Sequence, residues 1–111
     1  MTDLVSKRSV NGAPGLDAAT VEKLSKQVPE WKVVGERKGI TRRYSFENYY
    51  QTMAFVNAVA YLAHHEDHHP DLDVKYGSCT VLFSTHDAGG LTENDFICAA
   101  KTDALWAQGS R

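Results

Sequence analysis

The spacing of hydrophobic positions switches between helix-like and strand-like along the chain, and the switches divide it into elements. Residues 1–15 keep neither period and contain Gly12, Pro14 and Gly15, so a flexible N-terminal tail is expected there. Residues 16–111 then read as a single domain. Over residues 16–27, Leu16, Val21 and Leu24, with Val28 just beyond, recur at helical intervals. Asp17 precedes Ala18-Ala19 as a cap, and Pro29 stops the element. Residues 31–35 and 39–46 are aromatic and β-branched and are joined by Glu36-Arg37-Lys38, which gives an antiparallel hairpin. Arg42 shares a face with Ile40, Tyr44 and Phe46, so the alternation is imperfect. The opposite face is polar, as in a sheet covered on one side.

Residues 47–68 form the longest periodic segment. Tyr49, Met53, Val56, Ala60 and Ala63 make one apolar stripe, and Phe55, Val59 and Leu62 a second. So broad an arc fits a deeply buried helix, or equally one whose surplus face meets another subunit. Pro70 ends this helix near His69, because the residue before proline is driven out of the α region. Residues 71–76 alternate strictly, with Leu72, Val74 and Tyr76 on one face, and residues 79–86 return with Val81 and Phe83 inward. Taking Gly77-Ser78 as a two-residue loop sets Tyr76 opposite Cys79, Asp71 opposite Ser84 and His69 opposite His86. A three-residue loop shifts this register by one. After the connection Asp87-Ala88-Gly89-Gly90, Thr92 caps a last helix with an acidic Asp95 at its third position. That helix runs to about Gln108 and buries Phe96, Ile97, Ala100, Leu105 and Trp106, with Gly109 at its end. The order α-β-β-α-β-β-α gives an α+β domain: a four-stranded antiparallel sheet with three helices on one face.

Composition narrows the class. A chain of 111 residues with 42% hydrophobic and 23% charged residues builds one core without staples. Lys+Arg 12 against Asp+Glu 14 gives a net charge of -2, no footprint for nucleic acid or an anionic membrane. Cys79 and Cys98 lie in apolar surroundings and read as reduced core residues. The absence of a membrane-length segment or an apolar leader makes the cytoplasm the expected location.

The chemistry concentrates in His64-His65-Glu66-Asp67-His68-His69-Pro70, with the fifth histidine in Ser84-Thr85-His86-Asp87. Three readings compete. His64/His68 and His65/His69 have the i, i+4 spacing of helical metal ligands, with a carboxylate from Asp67 or Asp95, but Pro70 pulls His69 off the helix and no cysteine joins the set. His64 and His65 fit as solvated residues complementing the dipole of the last helical turn, the preferred reading for His65 but not for the whole set. The third reading is acid–base catalysis without metal: imidazoles at a helix end and a strand end, beside Asp67, Asp87 and Asp95, exchanging protons with one bound molecule.

The spacing His64-x3-His68-His69-Pro70, then Tyr76, His86 and Asp95, together with Ser84-Thr85-His86-Asp87-Ala88-Gly89-Gly90-Leu91-Thr92, resembles the signature of the pterin-4a-carbinolamine dehydratases over residues 16–108. The resemblance implies dehydration of 4a-hydroxytetrahydropterin to quinonoid dihydropterin, recycling tetrahydrobiopterin for aromatic amino acid hydroxylases. It implies His68, His69 and His86 as the active-site histidines, with His68 and His86 the acid–base pair and His69 polarising the pterin. Asp67, Ser84, Thr85 and Asp87 would hold the pterin, largely through main-chain groups, while His64, Pro70 and Asp95 support the site. Animal members carry glutamate where this chain has His64, a departure that bears on rate and pH optimum more than on the reaction. No cofactor is implied, since the pterin is the substrate, and a homodimer or homotetramer is expected. The transcription-factor partner of animal relatives finds no support in this sequence. The rival class is a non-catalytic dimerisation or coactivator module on the same fold.

Overall fold

A computed structural model describes residues 3–109 of the protein. Its elements are α1 (Ala18–Ser25), β1 (Lys32–Val34), β2 (Gly39–Ser45), α2 (Tyr49–Glu66), β3 (Asp71–Lys75), β4 (Ser78–Ser84) and α3 (Glu93–Gly109), with 3-10 turns at Leu4–Ser6 and His86–Ala88. The strands form one antiparallel sheet in the order β1-β2-β4-β3, and the helices cover one face. The expected α+β order is the observed one.

The central strands β2 and β4 supply the sheet's half of the core. Ile40, Tyr44, Cys79, Val81 and Phe83 are all but inaccessible and pack against Val21 and Leu24 of α1, Phe55 and Val59 of α2, and Phe96 and Ile97 of α3. Each such large side chain contributes roughly 1.5–3 kcal/mol by leaving water. Arg42 breaks the alternation of β2 for a definite reason. Its guanidinium lies 4.5 Å from the Tyr44 ring centroid and donates to Asp103 Oδ1 of α3 at 2.8 Å. The Trp31 indole N–H and the Tyr44 hydroxyl donate to the same oxygen. Burial, then Asp103, holds the Tyr44 phenol above its ordinary pKa, so it remains a donor. Cys79 and Cys98 are free and buried, and desolvation pushes their thiols up to about 11 and about 12.

Three expectations are corrected. The hairpin of β3 and β4 turns at Tyr76-Gly77, so Lys75 faces Ser78 and Asp71 faces Leu82. The pairing is displaced by two positions from the expected one, which keeps each side chain on its face and so leaves the alternation intact. His69 therefore does not fall opposite His86, and His86 lies in the 3-10 turn beyond β4. Secondly, α2 buries Thr52, Phe55, Val59, Ala63 and Glu66, while Tyr49 of the other stripe is 52% exposed. Thirdly, the first part of the segment expected to be a loose tail, residues 4–10, is docked on the domain. Leu4 is 1% exposed, its N–H meets Gln27, Lys7 pairs with Glu93, and Val10 exchanges two hydrogen bonds with Asn94. Among the described residues, no helix is long and apolar enough to cross a membrane.

Candidate active site

The site begins where α2 stops. Asp67 adopts the left-handed conformation (φ 52°, ψ 43°), and two capping bonds close the helix: Asp67 N–H to His64 O and His68 N–H to Ala63 O. This is the arrangement usually built on glycine, and it satisfies the last helical carbonyls. It also ends the helix at Glu66, ahead of the proline, and sends His68 away from the helix surface. The i, i+4 relation of His64 and His68 is lost with it.

His68 turns inward, with its side chain 11% exposed, and stacks on Phe83 at 6.0 Å between ring centroids. Its Nε2 lies 2.6 Å from Asp95 Oδ1. Asp95, 0% exposed, sits in the first turn of α3. Its other oxygen accepts from the Thr92 N–H at 3.0 Å and the Thr85 hydroxyl at 2.8 Å. The capping-box reading of Thr92 and Asp95 holds for the carboxylate half, while the Thr92 hydroxyl faces Thr85 at 3.0 Å. A carboxylate accepting at Nε2 assigns the neutral ring's proton to that nitrogen and leaves the lone pair on Nδ1. Nδ1 makes no hydrogen bond among the described residues. The arrangement is an oriented imidazole, able to take up or release a proton at one atom.

Thr85 joins this pair to a cavity of about 320 Å³ lined by Ser84, Thr85, His86, Gly89 and Gly90 on one side and Gly35, Lys38 and Gly39 on the other. Asp71 and Lys38 add one acidic and one basic side chain to the lining. The β1–β2 turn behind this wall is left-handed at Gly35, Glu36 and Arg37 (φ 62°, 56° and 66°), and the two non-glycine residues carry the strain. Left-handed backbone costs a non-glycine residue on the order of 1–2 kcal/mol. The Leu91 N–H, donating to Arg37 O at 3.0 Å, holds the turn against the glycine loop. A Cβ on Gly90 would press on Arg37 O at 3.2 Å, so a side chain there requires the turn to give by a few tenths of an ångström.

Of the sequence-derived site residues, Ser84, Thr85 and His86 share the cavity, and His68, Thr85 and Asp95 share one hydrogen-bond network. Asp67, His69 and Asp87 are exposed and Pro70 half-buried; none of the four lines the cavity. His64 is exposed on the last turn of α2, and His65 stacks on Tyr61. Glu66 went unnoticed in the sequence. Its side chain is 1% exposed, bound by Lys101 at 2.8 Å, Arg8 at 3.4 Å and the Ser9 N–H. A signal existed: Glu66 continues the helical spacing of Thr52, Phe55, Val59 and Ala63. Gly35, expected at the end of a strand, and Lys38, expected in the turn, carry no sequence mark that links them to the site.

An imidazole held on a buried carboxylate, joined through Thr85 to a small cavity, is the candidate site of this α+β scaffold. The family model described as Pterin 4 alpha carbinolamine dehydratase matches residues 14–105, and the chain belongs to that family. Similar relatives include a protein of Stenotrophomonas maltophilia (strain R551-3), 58% identical over 84% of this chain and 80% of its own. Another, from Xylella fastidiosa (strain 9a5c), is 49% identical over 98% of this chain and 99% of its own. Both are provisionally named pterin-4-alpha-carbinolamine dehydratase. Among solved structures, a transcriptional coactivator/pterin dehydratase from Brucella melitensis matches with a TM-score of 0.77 at 28% identity, covering 82% of this chain and 97% of that one. A pterin dehydratase-like protein identified as a RuBisCO assembly factor in the alpha-carboxysome matches with a TM-score of 0.61 at 27% identity, over 68% of this chain and 88% of that one.

Proposed function

We propose that the protein dehydrates a 4a-hydroxytetrahydropterin to quinonoid dihydropterin and water, using histidines and no metal. The observation that carries this reading is the His68–Asp95 pair, joined through Thr85 to the wall of the cavity that His86 lines. In the reaction the C4a–O bond breaks and the hydroxyl leaves as water after receiving one proton. The proton on N5 is removed, and its electron pair closes the C4a=N5 double bond. His68 serves through Nδ1, because Asp95 occupies Nε2, and His86 is its counterpart at the cavity. His69 binds and polarises the pterin. Ser84, Thr85, Asp67 and Asp87 hold the ring and its substituent, largely through main-chain groups, and His64 and Pro70 support the site. A volume of about 320 Å³ falls within the range of small-molecule sites. The physiological role on this reading is recycling of tetrahydrobiopterin for aromatic amino acid hydroxylases, in the cytoplasm, by a homodimer or homotetramer.

The test follows the loss of the 4a-carbinolamine after a hydroxylase turnover, with and without the protein. Acceleration that survives a chelator is expected, and His68→Ala and His86→Ala each reduce it by ~10²–10⁴-fold, the span of general acid–base catalysis. Decay unchanged by the protein sinks the enzyme reading. Chelator-sensitive acceleration transfers the chemistry to a metal. The neighbour described as a RuBisCO assembly factor favours a second reading, an assembly module on the same fold. It predicts that both alanine variants keep every measurable property, including their oligomer.

A further inference from the structure

We propose that the N-terminal segment, residues 7–10, is a strap that positions the His68–Asp95 pair, with Glu66 and Asn94 as its positioning residues. The inference rests on the dehydratase reading for its catalytic meaning. Its physical content is independent of that reading.

The argument starts from where the strap is fastened. The Ser9 N–H donates to Glu66 Oε1 at 2.9 Å, and the Ser9 hydroxyl donates to the Glu66 carbonyl. Val10 binds Asn94 in both directions, its N–H to Oδ1 at 3.0 Å and its carbonyl from Nδ2 at 2.8 Å. Lys7 reaches Glu93 at 2.6 Å. Glu66 stands two residues before His68 and Asn94 one residue before Asp95. The strap therefore grips the two chain ends, the C-terminus of α2 and the first turn of α3, that present the two members of the pair. It touches neither member itself.

The fastening is built rather than incidental. Glu66 is 4% exposed and Asn94 7%, and a buried polar side chain without partners is costly. Lys101 of α3 binds the second Glu66 oxygen at 2.8 Å, so one carboxylate ties α2, α3 and the strap together. Leu4, buried just upstream, anchors the segment in the core. The local geometry also needs support. Asp67, between Glu66 and His68, is left-handed without being glycine, a conformation that persists where its surroundings hold it. Releasing the strap frees the end of α2 to relax, and a displacement of about 1 Å at a catalytic group is enough to cost on the order of a hundredfold in rate.

The experiment uses the full chain with two variants that leave His68, Asp95 and their direct partners unaltered. Val10→Pro removes the N–H that Asn94 accepts. Glu66→Gln turns a donor toward Lys101. Should Val10→Pro not fold, Lys7→Ala loosens the same segment through one surface ion pair. The readouts are the nitrogen NMR shifts of the His68 ring, which report its tautomer and its bond to Asp95, and the separate kcat and KM for the carbinolamine. The expected result is altered His68 shifts together with a kcat lowered about tenfold or more at a KM changed less than about twofold. Val21→Ala, which weakens the core within α1 at a position that does not line the groove under the strap, is the control for general loss of stability: it lowers the melting temperature and leaves the His68 shifts in place. Native His68 shifts in both strap variants, or equal displacement in Val21→Ala, overturn the proposal. Because the ring shifts need no substrate, they decide the strap even if the protein proves not to be a dehydratase.

Discussion

Two buried carboxylates stand near the candidate site, and their partners set them to different work. Asp95 accepts from one imidazole, one hydroxyl and one backbone N–H, which leaves it a template for the His68 tautomer. Asp95→Asn keeps the shape but can present an NH₂ to Nε2, which moves the ring proton to Nδ1. A kcat lower by on the order of a hundredfold or more, at unchanged circular dichroism, is expected; a native rate would remove Asp95 from the mechanism. For Glu66, burial alone would raise the pKa, but the hydrogen bonds of Lys101 and the Ser9 N–H, with the charges of Lys101 and Arg8, outweigh it and hold the carboxyl below its ordinary 4.5. A carboxyl depressed in the folded state stabilises the protein above its unfolded value, and that stability is lost as pH falls through the folded value. Melting temperature should therefore fall as pH drops below 4.5, and Glu66→Gln should flatten that acid limb while lowering the plateau above it. An unchanged limb would show that Glu66 is not the group responsible. In the sequence Glu66 is one more charge in His-His-Glu-Asp-His-His, and its burial shows only in the spacing from Thr52, Phe55, Val59 and Ala63.

The elements were legible in order and type because each keeps its period: α2 at three and four, β3 and β4 at two. What could not be read was how they join. A displacement by two positions in the β3–β4 hairpin leaves every side chain on its own face, so alternation gives no warning of it. The turn of Asp67 was hidden for a related reason. Pro70 predicts a boundary at His69, whereas a non-glycine left-handed residue has no strong sequence mark. The cavity wall is likewise an element-scale property, and Gly39 tests it. A Cβ there would meet Leu82 Cδ1 at 2.9 Å, which that side chain relieves by turning away, and Phe83 O at 3.2 Å, so the backbone of β4 beside it must give by a few tenths of an ångström. Gly39→Ala is expected to cost about 1–3 kcal/mol, the usual scale for overpacking, read as a lower denaturant midpoint at constant slope. The same shift distorts the wall beside Ser84, so KM for the pterin should rise. A variant as stable as the native protein would show that the strands separate freely there.

At the scale of the whole molecule, α2 is half used. Its buried face serves the core, yet Tyr50 and Tyr61 are 82% and 76% exposed, with the small Ala54 and Ala58 between them on the same side. Tyr50, Ala54 and Ala58 also border a groove of about 630 Å³ of mixed lining, with Leu105 and Trp106 of α3 among its walls. Aromatic ends around a small-residue centre let a second helix approach closely, and a net charge of -2 opposes self-association little. This exposed face lies outside the two apolar stripes read from the sequence, and as an aromatic surface unspent in the single chain it supports the proposed homo-oligomer with α2 as its contact. Ala54 is the informative position, because it is exposed in the isolated subunit and a carboxylate there remains hydrated. Ala54→Glu should leave the melting of a dilute monomer nearly unchanged while placing like charges near one another across a two-fold interface, a juxtaposition that costs several kcal/mol. Sedimentation equilibrium is then expected to show a native oligomer and an Ala54→Glu variant whose dissociation constant is higher by about a hundredfold or more. A variant that associates as tightly as the native chain would move the interface off α2, to the exposed edges of the sheet.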